Sequence, residues 1–434
     1  MAQQKADRLQ IARQIIDQVD SQMAPLFVRR MEAAQLVAEY KKLHSLPILD
    51  ADREARVIEA GMARVENETL HSHYRDFLRA VMAISRRYQQ QLLCGDNAVV
   101  VPLHEGYTVT VQRGALSQAE KYMDLQRKVL VVTDSGVPAQ YAQTVADRCK
   151  DATIVTVDQG EGSKNLQNFE LLCRTMLENG FTRTDCVVAV GGGMVGDLAG
   201  FTAASFMRGI DFYNIPTTVL SQVDSSIGGK VAIDMDGIKN CVGAFYQPKA
   251  VLIDPDVLKT LPARQMANGL AEVVKMAVTF DEDLLSLLED GDPMDRIEEI
   301  ILAALKIKTA VVAADEKESG LRRVLNFGHT IGHGIETAAG LDTLYHGECV
   351  ALGMLPMCGE ALRPRVQKIL EKLKLPTTCR VDPDKVWKAV SHDKKLSGDT
   401  ITVVYSPKAG TFQMQAIPLQ DLKETVFTFL DKGV

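Results

Sequence analysis

Residues 5–93 hold a single glycine, Gly61, and two prolines, Pro25 and Pro47. Glycine and proline are the strongest helix breakers, so this stretch reads as helix throughout. Ile16, Val19, Met23, Leu26 and Phe27 recur at three- and four-residue steps, and Ala34, Val37 and Ala38 continue the stripe. That is the period of one apolar helix face. Pro47 and Asp50 mark a turn. A second helix is predicted from near Asp52 and a third over roughly 70–93, with Phe77, Val81, Ile84 and Tyr88 on one face. Pro25 lies inside the first helix and predicts a kink. Three helices with such open apolar faces enclose a thin core. Two copies would bury those faces against each other, so this segment is expected to dimerise.

The texture changes at CGDNAVVVP, residues 94–102, which reads as a linker. After it YTVTVQ, KVLVVTD, TIVTV, CVVAV and FYNIP read as strands separated by helical stretches, the signature of an α/β unit with a mostly parallel sheet. Beyond about Pro255 helices dominate, up to a late ITVVYS and FQMQAIP that read as a hairpin. The expected architecture is therefore multidomain. An all-α three-helix domain (1–93) is followed by an α/β nucleotide-binding domain (103–254) and a mainly helical domain (255–434), with a cleft between the last two. A net charge of -7 argues against a nucleic-acid or anionic-membrane partner. No apolar run reaches the ~18 residues of a membrane span, and MAQQKADRLQ lacks the apolar core of a signal peptide. Eight cysteines are scattered without a C-x-x-C pair, which speaks against a zinc knuckle and for a reducing, cytoplasmic setting.

Two constellations carry chemistry. In CVVAVGGGMVGDLAG (186–200) an apolar strand runs into three glycines and then a helix. Such a turn brings backbone and helix N–H groups close to a phosphate, or is simply a tight strand–helix turn. Asp134, closing a strand, can bind ribose hydroxyls, and Gly160-Glu161-Gly162-Ser163-Lys164 adds a polar loop. Together they favour a dinucleotide site without the Rossmann G-x-G-x-x-G. Further on, His329 and His333 share a helix face and His346 follows nearby. An open zinc site needs three protein ligands, commonly two histidines and a carboxylate. Glu272, on the otherwise apolar GLAEVVK helix, is the candidate carboxylate, and a structural histidine cluster is the alternative. Lys230, Lys239, Lys275, Lys308, Arg322, Lys394 and Lys395 crowd the same half. VDSSIGGK (223–230) ends in Lys230 and suits a phosphate or carboxylate. The conjunction points to an enzyme acting on an anionic polyol.

With GGGMVGDLAGF, FMRG, PTTVLSQVDSSIGGK, KNCVGAFYQP, TLPARQMANGLAEVVK, DEKESGLRRVLNFGHTIGH, YHGE and HDKK in order, residues 100–434 resemble the 3-dehydroquinate synthases among the sugar-phosphate cyclases. The resemblance implies NAD and Zn2+ (or Co2+), the metal held by Glu272, His329 and His346, with His333 facing substrate. Asp134, Glu161, Lys164, Gly192, Gly193, Asp197, Thr217, Thr218 and Lys239 would touch NAD. Asp224, Lys230, Asn240, Lys275, Lys308, Arg322, Asn326 and Lys394 or Lys395 would line the substrate, and Arg208 would reach a neighbouring subunit. The implied reaction is transient oxidation by NAD, loss of phosphate, return of hydride, ring opening and aldol closure. Lys308, Asn326 and His333 match the dehydroquinate type rather than related cyclases. Gln265 departs from the Glu usual there and is expected near the nucleotide side or a hinge.

Residues 6–93 resemble the all-helical chorismate mutases through Arg13, Arg30, Lys41, Asp50, Arg53, Glu54, Ser85 and Gln89, with PILDADRE the most specific run. A Claisen rearrangement needs orientation and a donor at the ether oxygen rather than an acid or base. Arg13, Arg30 and Arg53 would clamp two carboxylates, Lys41 and Gln89 would meet the ether oxygen, and Glu54 the hydroxyl. In the family's swapped dimer Arg13 comes from the partner chain. The implied whole is a bifunctional enzyme of aromatic amino-acid synthesis acting on small anionic substrates, homo-oligomeric through both domains. The alternative is a synthase carrying a sensing or dimerisation module.

Overall fold

The computed structural model describes residues 2–44, 48, 50–94, 97–101, 103, 106–318, 320–340, 343–391, 396–397 and 400–431. Its contacts divide into two units, 1–98 and 99–434.

The first unit is three helices, α1 (Ala2–His44), α2 (Ala51–Met62) and α3 (His71–Cys94). The Asp50 carboxylate accepts the Arg53 N–H at 2.9 Å and so caps α2. The proline in α1 does not end it: the helix runs 43 residues, Ala2–His44, with Pro25 inside it. Pro25 lacks only one N–H, and a helix this long carries the loss on the turns either side. The core is thin. Among the described residues of this unit Ala34, Ala38 and Met82 are the buried apolar side chains, while Ile16, Val19, Met23, Leu26 and Phe27 are exposed.

The second unit begins with β1 (Ala98–Val101), β2 (Tyr107–Val111), β3 (Lys128–Asp134), α4 (Ala139–Ala146), β4 (Asp151–Val157), α5 (Leu166–Glu178), β5 (Cys186–Gly191), α6 (Gly193–Ser205), β6 (Asp211–Pro216), β7 (Lys230–Met235), β8 (Ile238–Phe245) and β9 (Ala250–Ile253). Seven strands form one sheet in the order β1-β2-β9-β6-β5-β3-β4. The ladders from β2 to β4 are parallel, with Cys186 opposite Asp211 and Val129 opposite Cys186. Alternate residues of β3 and β5 feed two different cores. Val129, Val131, Val188 and Val190 pack with α4, while Leu130, Val132, Val187 and Ala189 pack with α5 and α6. Helices on both faces explain why these strands are apolar throughout. β3 has β4 on one side and β5 on the other, so the chain reverses direction across the sheet there. Such a reversal opens a crevice at the carboxyl ends of the strands.

Two features differ from the sequence expectation. Ala98–Val101, inside the expected linker, joins the sheet as β1, because three consecutive valines suit an edge strand better than a connector. The stretch 230–245 forms a separate antiparallel hairpin, β7–β8. Its second strand is largely exposed, and Lys239, Asn240 and Gly243 interrupt its apolar residues, so no unbroken apolar run announced it.

The rest is mainly helical: α7 (Ala263–Phe280), α8 (Glu282–Glu289), α9 (Ile297–Ala314), α10 (His329–Ala339), α11 (His346–Met354), α12 (Arg363–Lys372), α13 (Pro383–Val390) and α14 (Leu419–Asp431). β10 (Leu396–Ser397), β11 (Thr400–Tyr405) and β12 (Gln413–Pro418) form a small antiparallel sheet, and β11–β12 is the expected late hairpin. One large core runs from β2 and β9 through these helices.

Candidate active sites

The glycine turn lies at the crevice. β5 ends at Gly191, and Gly192 caps α6 without a side-chain bond, which leaves the first amides of the helix to a ligand. A Cβ on Gly193 would fall 2.9 Å from Ser225 Oγ, and one on Gly192 3.3 Å from Thr218 Cγ2. Bare glycines thus let the 217–225 wall close on the turn, where the Thr217 N–H donates to Gly191 O at 2.9 Å. Asp134 ends β3 and accepts the Gly136 N–H at 2.7 Å, and burial raises its pKa. Beside them Lys164 is only 3% exposed. Its ammonium lies 2.6 Å from Glu161, 3.2 Å from Asp197 and 3.8 Å from Asp234. Burial opposes its charge, but these carboxylates hold its pKa above the ordinary lysine value. Burial in turn pushes Asp197 up to about 6 against the pull of Lys164. Asn240 belongs to this group rather than to the lysine cluster below. Its Oδ1 accepts from Lys164 Nζ at 2.6 Å and its N–H donates to Asp234 at 2.7 Å.

The second centre joins α7, α10 and α11. Glu272 is fully buried. Its Oε1 accepts no hydrogen bond and faces Nε2 of His346 at 3.4 Å and Nε2 of His329 at 3.6 Å. The other ring nitrogens are held from behind. His329 Nδ1 donates to Phe327 O at 3.1 Å, and His346 Nδ1 to Glu336 Oε2 at 3.4 Å. One carboxylate oxygen and two oriented imidazoles form the donor set that suits a divalent zinc-like ion, and an orphaned, fully buried carboxylate oxygen fits that use. Ligand atoms of His329, His333 and His346 lie within 4.8 Å of one another, so His333 stands at the mouth of the same centre, exposed. Burial drives His329 well below the ordinary histidine pKa. His346 is pushed up to about 9, because Glu272 and Glu336 outweigh its burial.

Alternating charges surround this centre. Lys275 pairs with Glu272, and Lys308 with Asp224. Burial alone would neutralise Lys275, but Glu272 and Asp224 raise its pKa. For Lys308 burial wins and the pKa falls despite Asp224. Arg322 is buried, donates to Glu316 O at 2.6 Å, and packs on Gly228 so closely that a Cβ there would lie 2.4 Å from its Nη2. Gly228 has φ +97°, a second reason that only glycine fits. Lys230 pairs with Glu318, which also accepts from Asn326 Nδ2 at 2.9 Å. Lys239 donates to Glu336 at 2.8 Å. Arg208 is exposed with φ +70°, apart from this cluster. Gln265 lies beside Asn268, 3.3 Å from its amide, and Asn268 in turn accepts the Gly347 N–H next to His346. The departure therefore falls at the α7–α11 contact rather than by the nucleotide turn. Lys394 and Lys395 lie outside the described residues.

In the helical unit Arg30 on α1 reaches α3, pairing with Ser85 Oγ and donating to Val81 O at 3.4 Å. Gln89, one turn beyond Ser85, is buried and its Oε1 accepts no hydrogen bond. Lys41 contacts Ile48 O, and burial lowers its pKa. Glu54 pairs with Arg86. Asp50 is engaged as the α2 cap, and Arg13 and Arg53 are exposed.

Sequence reasoning missed the partners. Glu318, Glu336, Asp234 and Arg86 were not singled out, although Glu318 lies inside the DEKESGLRR run. Each pairs with a residue distant in sequence or on another element, and only the fold brings them together.

Three family models match the chain: 3-dehydroquinate synthase N-terminal over residues 154–268, 3-dehydroquinate synthase C-terminal over 269–396, and chorismate mutase type II over 12–90. The 3-dehydroquinate synthase of Enterococcus faecalis is 41% identical over 346 residues, covering 75% of this chain and 96% of that protein. That of Lactococcus lactis is 39% identical over 341 residues, covering 73% and 96%. Among solved structures, a 2-deoxy-scyllo-inosose synthase with carbaglucose-6-phosphate, NAD+ and Co2+ matches with TM-score 0.70 and 25% identity, over 78% of this chain and 100% of its own. A 2-epi-5-epi-valiolone synthase from Streptomyces hygroscopicus with NAD+ and Zn2+ matches with TM-score 0.68 and 26% identity, over 75% and 97%. The long parallel sheet, the glycine turn and the buried Glu–His–His centre are thus those of a chain that belongs to the 3-dehydroquinate synthase family and carries a chorismate mutase type II domain ahead of it.

Proposed function

We propose that the chain is a bifunctional enzyme of aromatic amino-acid synthesis. Residues 99–434 convert 3-deoxy-D-arabino-heptulosonate 7-phosphate to 3-dehydroquinate and phosphate, and the helical unit converts chorismate to prephenate. The observation that carries the first activity is the fully buried Glu272 carboxylate facing two imidazoles. Glu272, His329 and His346 hold a Zn2+ or Co2+ ion. Asp134, Glu161, Lys164, Gly192, Gly193, Asp197, Thr217, Thr218 and Lys239 hold NAD. When bound, the two supply Lewis acidity at the substrate hydroxyls and a reversible hydride acceptor.

The chain's own residues bind and orient. Lys275 and Lys308 place two ammonium groups within a buried wall, and Asp224 balances them. Low dielectric there strengthens their hold on an anionic substrate. Arg322, fixed over Gly228, and Asn326 add directed donors. Lys230, half exposed, exchanges Glu318 for the incoming anion. His333, at the mouth, faces the substrate beside the metal and, with Lys308 and Asn326, selects the dehydroquinate precursor over other sugar phosphates. Arg208 and the pair Lys394 and Lys395 complete the anion-binding set, Arg208 toward a neighbouring subunit, while Asn240 braces Lys164 on the nucleotide side.

In the helical unit Arg30, Arg53 and a partner's copy of Arg13 clamp two carboxylates. Lys41 and Gln89 donate to the ether oxygen, and Ser85 and Glu54 orient the rest. Asp50 contributes by fixing the start of α2. The exposed apolar face of α1 is covered by a second copy, which makes the protein a homo-oligomer. Among the described residues no helix is long and apolar enough to cross a membrane, and Cys149, Cys173, Cys186, Cys241, Cys349, Cys358 and Cys379 are free thiols, which suits a reducing compartment.

The test is Glu272→Ala. Metal analysis and a synthase assay on the same sample should show both lost together. A variant that keeps full metal stoichiometry overturns the ligand assignment.

A further inference from the structure

Glu336 is not part of either constellation read from the sequence, yet it stands between them. It lies on α10, two helical turns after His329, with a side chain 18% exposed. One carboxylate oxygen accepts from His346 Nδ1 at 3.4 Å, and the other accepts from Lys239 Nζ at 2.8 Å. Lys239 belongs to the β7–β8 hairpin. The next residue, Asn240, is bonded to Lys164 at 2.6 Å, and Lys164 to Asp197 of α6 at 3.2 Å. A line of polar contacts, joined at the hairpin by the Lys239–Asn240 peptide link, therefore runs from the first residue of α11 to the helix that follows the glycine turn.

We propose that Glu336 is a positioning residue that orients His346 for the metal and couples metal loading to dinucleotide binding through the hairpin. The inference rests on the reading of Glu272, His329 and His346 as metal ligands. Two physical steps support it. An acceptor at Nδ1 fixes the tautomer in which Nε2 is free to ligate and turns that nitrogen toward Glu272. The Lys239 contact restrains the hairpin, so a dinucleotide that settles the hairpin also settles Glu336 and, through it, His346. Such coupling is reciprocal: the factor by which NAD raises zinc affinity equals the factor by which zinc raises NAD affinity.

The experiment uses metal-free full-length protein, with zinc affinity measured by competition with a chromogenic chelator, without NAD and with saturating NAD. Wild type should bind zinc on the order of 5–150-fold more tightly with NAD present, the usual range for coupled sites. Glu336→Ala should weaken zinc binding ~10–100-fold, the usual cost of removing a partner behind a ligating histidine. Glu336→Gln keeps an oxygen for His346 but loses the charge that holds Lys239. It should lose most of the NAD effect while weakening zinc binding less than Glu336→Ala does. Circular dichroism checks that each variant folds, and if Glu336→Ala does not, the near-isosteric Glu336→Gln decides alone. Wild-type zinc affinity and an undiminished NAD effect in Glu336→Gln, with zinc binding lost in Glu272→Ala, would overturn the inference alone. Wild-type zinc affinity in Glu272→Ala as well would overturn the metal reading beneath it.

Discussion

Lys164 and Lys308 are both buried lysines, and their surroundings set them apart. Three carboxylates and Asn240 surround Lys164, whereas Lys308 has Asp224 but also feels Lys275 and Arg322. Removing Lys308 leaves Asp224 charged and without that partner in a buried wall. Lys308→Ala should therefore cost about 3–5 kcal/mol, the usual consequence of breaking a buried pair, and lower synthase kcat/KM by ~100-fold or more. Thermal melting and initial rates check both. Asp197 makes a pH prediction. Its folded pKa of about 6 lies above its unfolded value, so its contribution to stability is fully present below the unfolded pKa and is lost as pH rises through 6. Asp197→Asn cannot titrate. Its melting temperature relative to wild type should therefore rise between pH 4 and pH 7, and parallel curves would refute the assignment. Glu272, the histidines and several of the cations were legible in the sequence because they interrupt apolar or glycine-rich text. Glu318 and Glu336 were not, because their partners Lys230 and Lys239 lie 88 and 97 residues away, a separation that periodicity does not encode.

Among the elements, β3 and β5 were legible because both faces are buried and the apolar run is unbroken. β8 was not, since an exposed strand broken by Lys239, Asn240 and Gly243 has no such run, and β1 was hidden because four residues read equally well as a connector. α1 was legible in type, and Pro25 falls inside one continuous helix. The apolar stripe carries helical spacing, yet the helix absorbs Pro25 without a break. That stripe makes a prediction at this scale. Ile16, Val19, Leu26 and Phe27 are exposed on one helix, and a second copy would remove them from water. Leu26→Glu together with Ile16→Glu should shift the protein to a smaller species in analytical ultracentrifugation. The same variant should lose mutase turnover, because the proposed site draws Arg13 from the partner. An unchanged sedimentation profile would show that α1 is not the interface.

At the scale of the molecule the chain holds two units, and the large clusters of buried apolar residues all lie in the second. Each has its own set of buried or half-buried polar groups that a folded domain does not need for stability alone: Arg30, Ser85 and Gln89 in one, Glu272, Lys275 and Lys308 in the other. The two implied reactions are not consecutive, so direct transfer of an intermediate does not explain the fusion, and feedback or shared assembly accounts for it better. The most direct test is one preparation of full-length protein assayed for both turnovers, beside Arg30→Ala and Glu272→Ala. The account predicts that wild type consumes chorismate to prephenate and also forms 3-dehydroquinate. Arg30→Ala should lose the first activity by ~100-fold or more while keeping the second within about twofold, and Glu272→Ala should do the reverse. An active synthase that leaves chorismate untouched would contradict it and make the helical unit a binding or assembly domain.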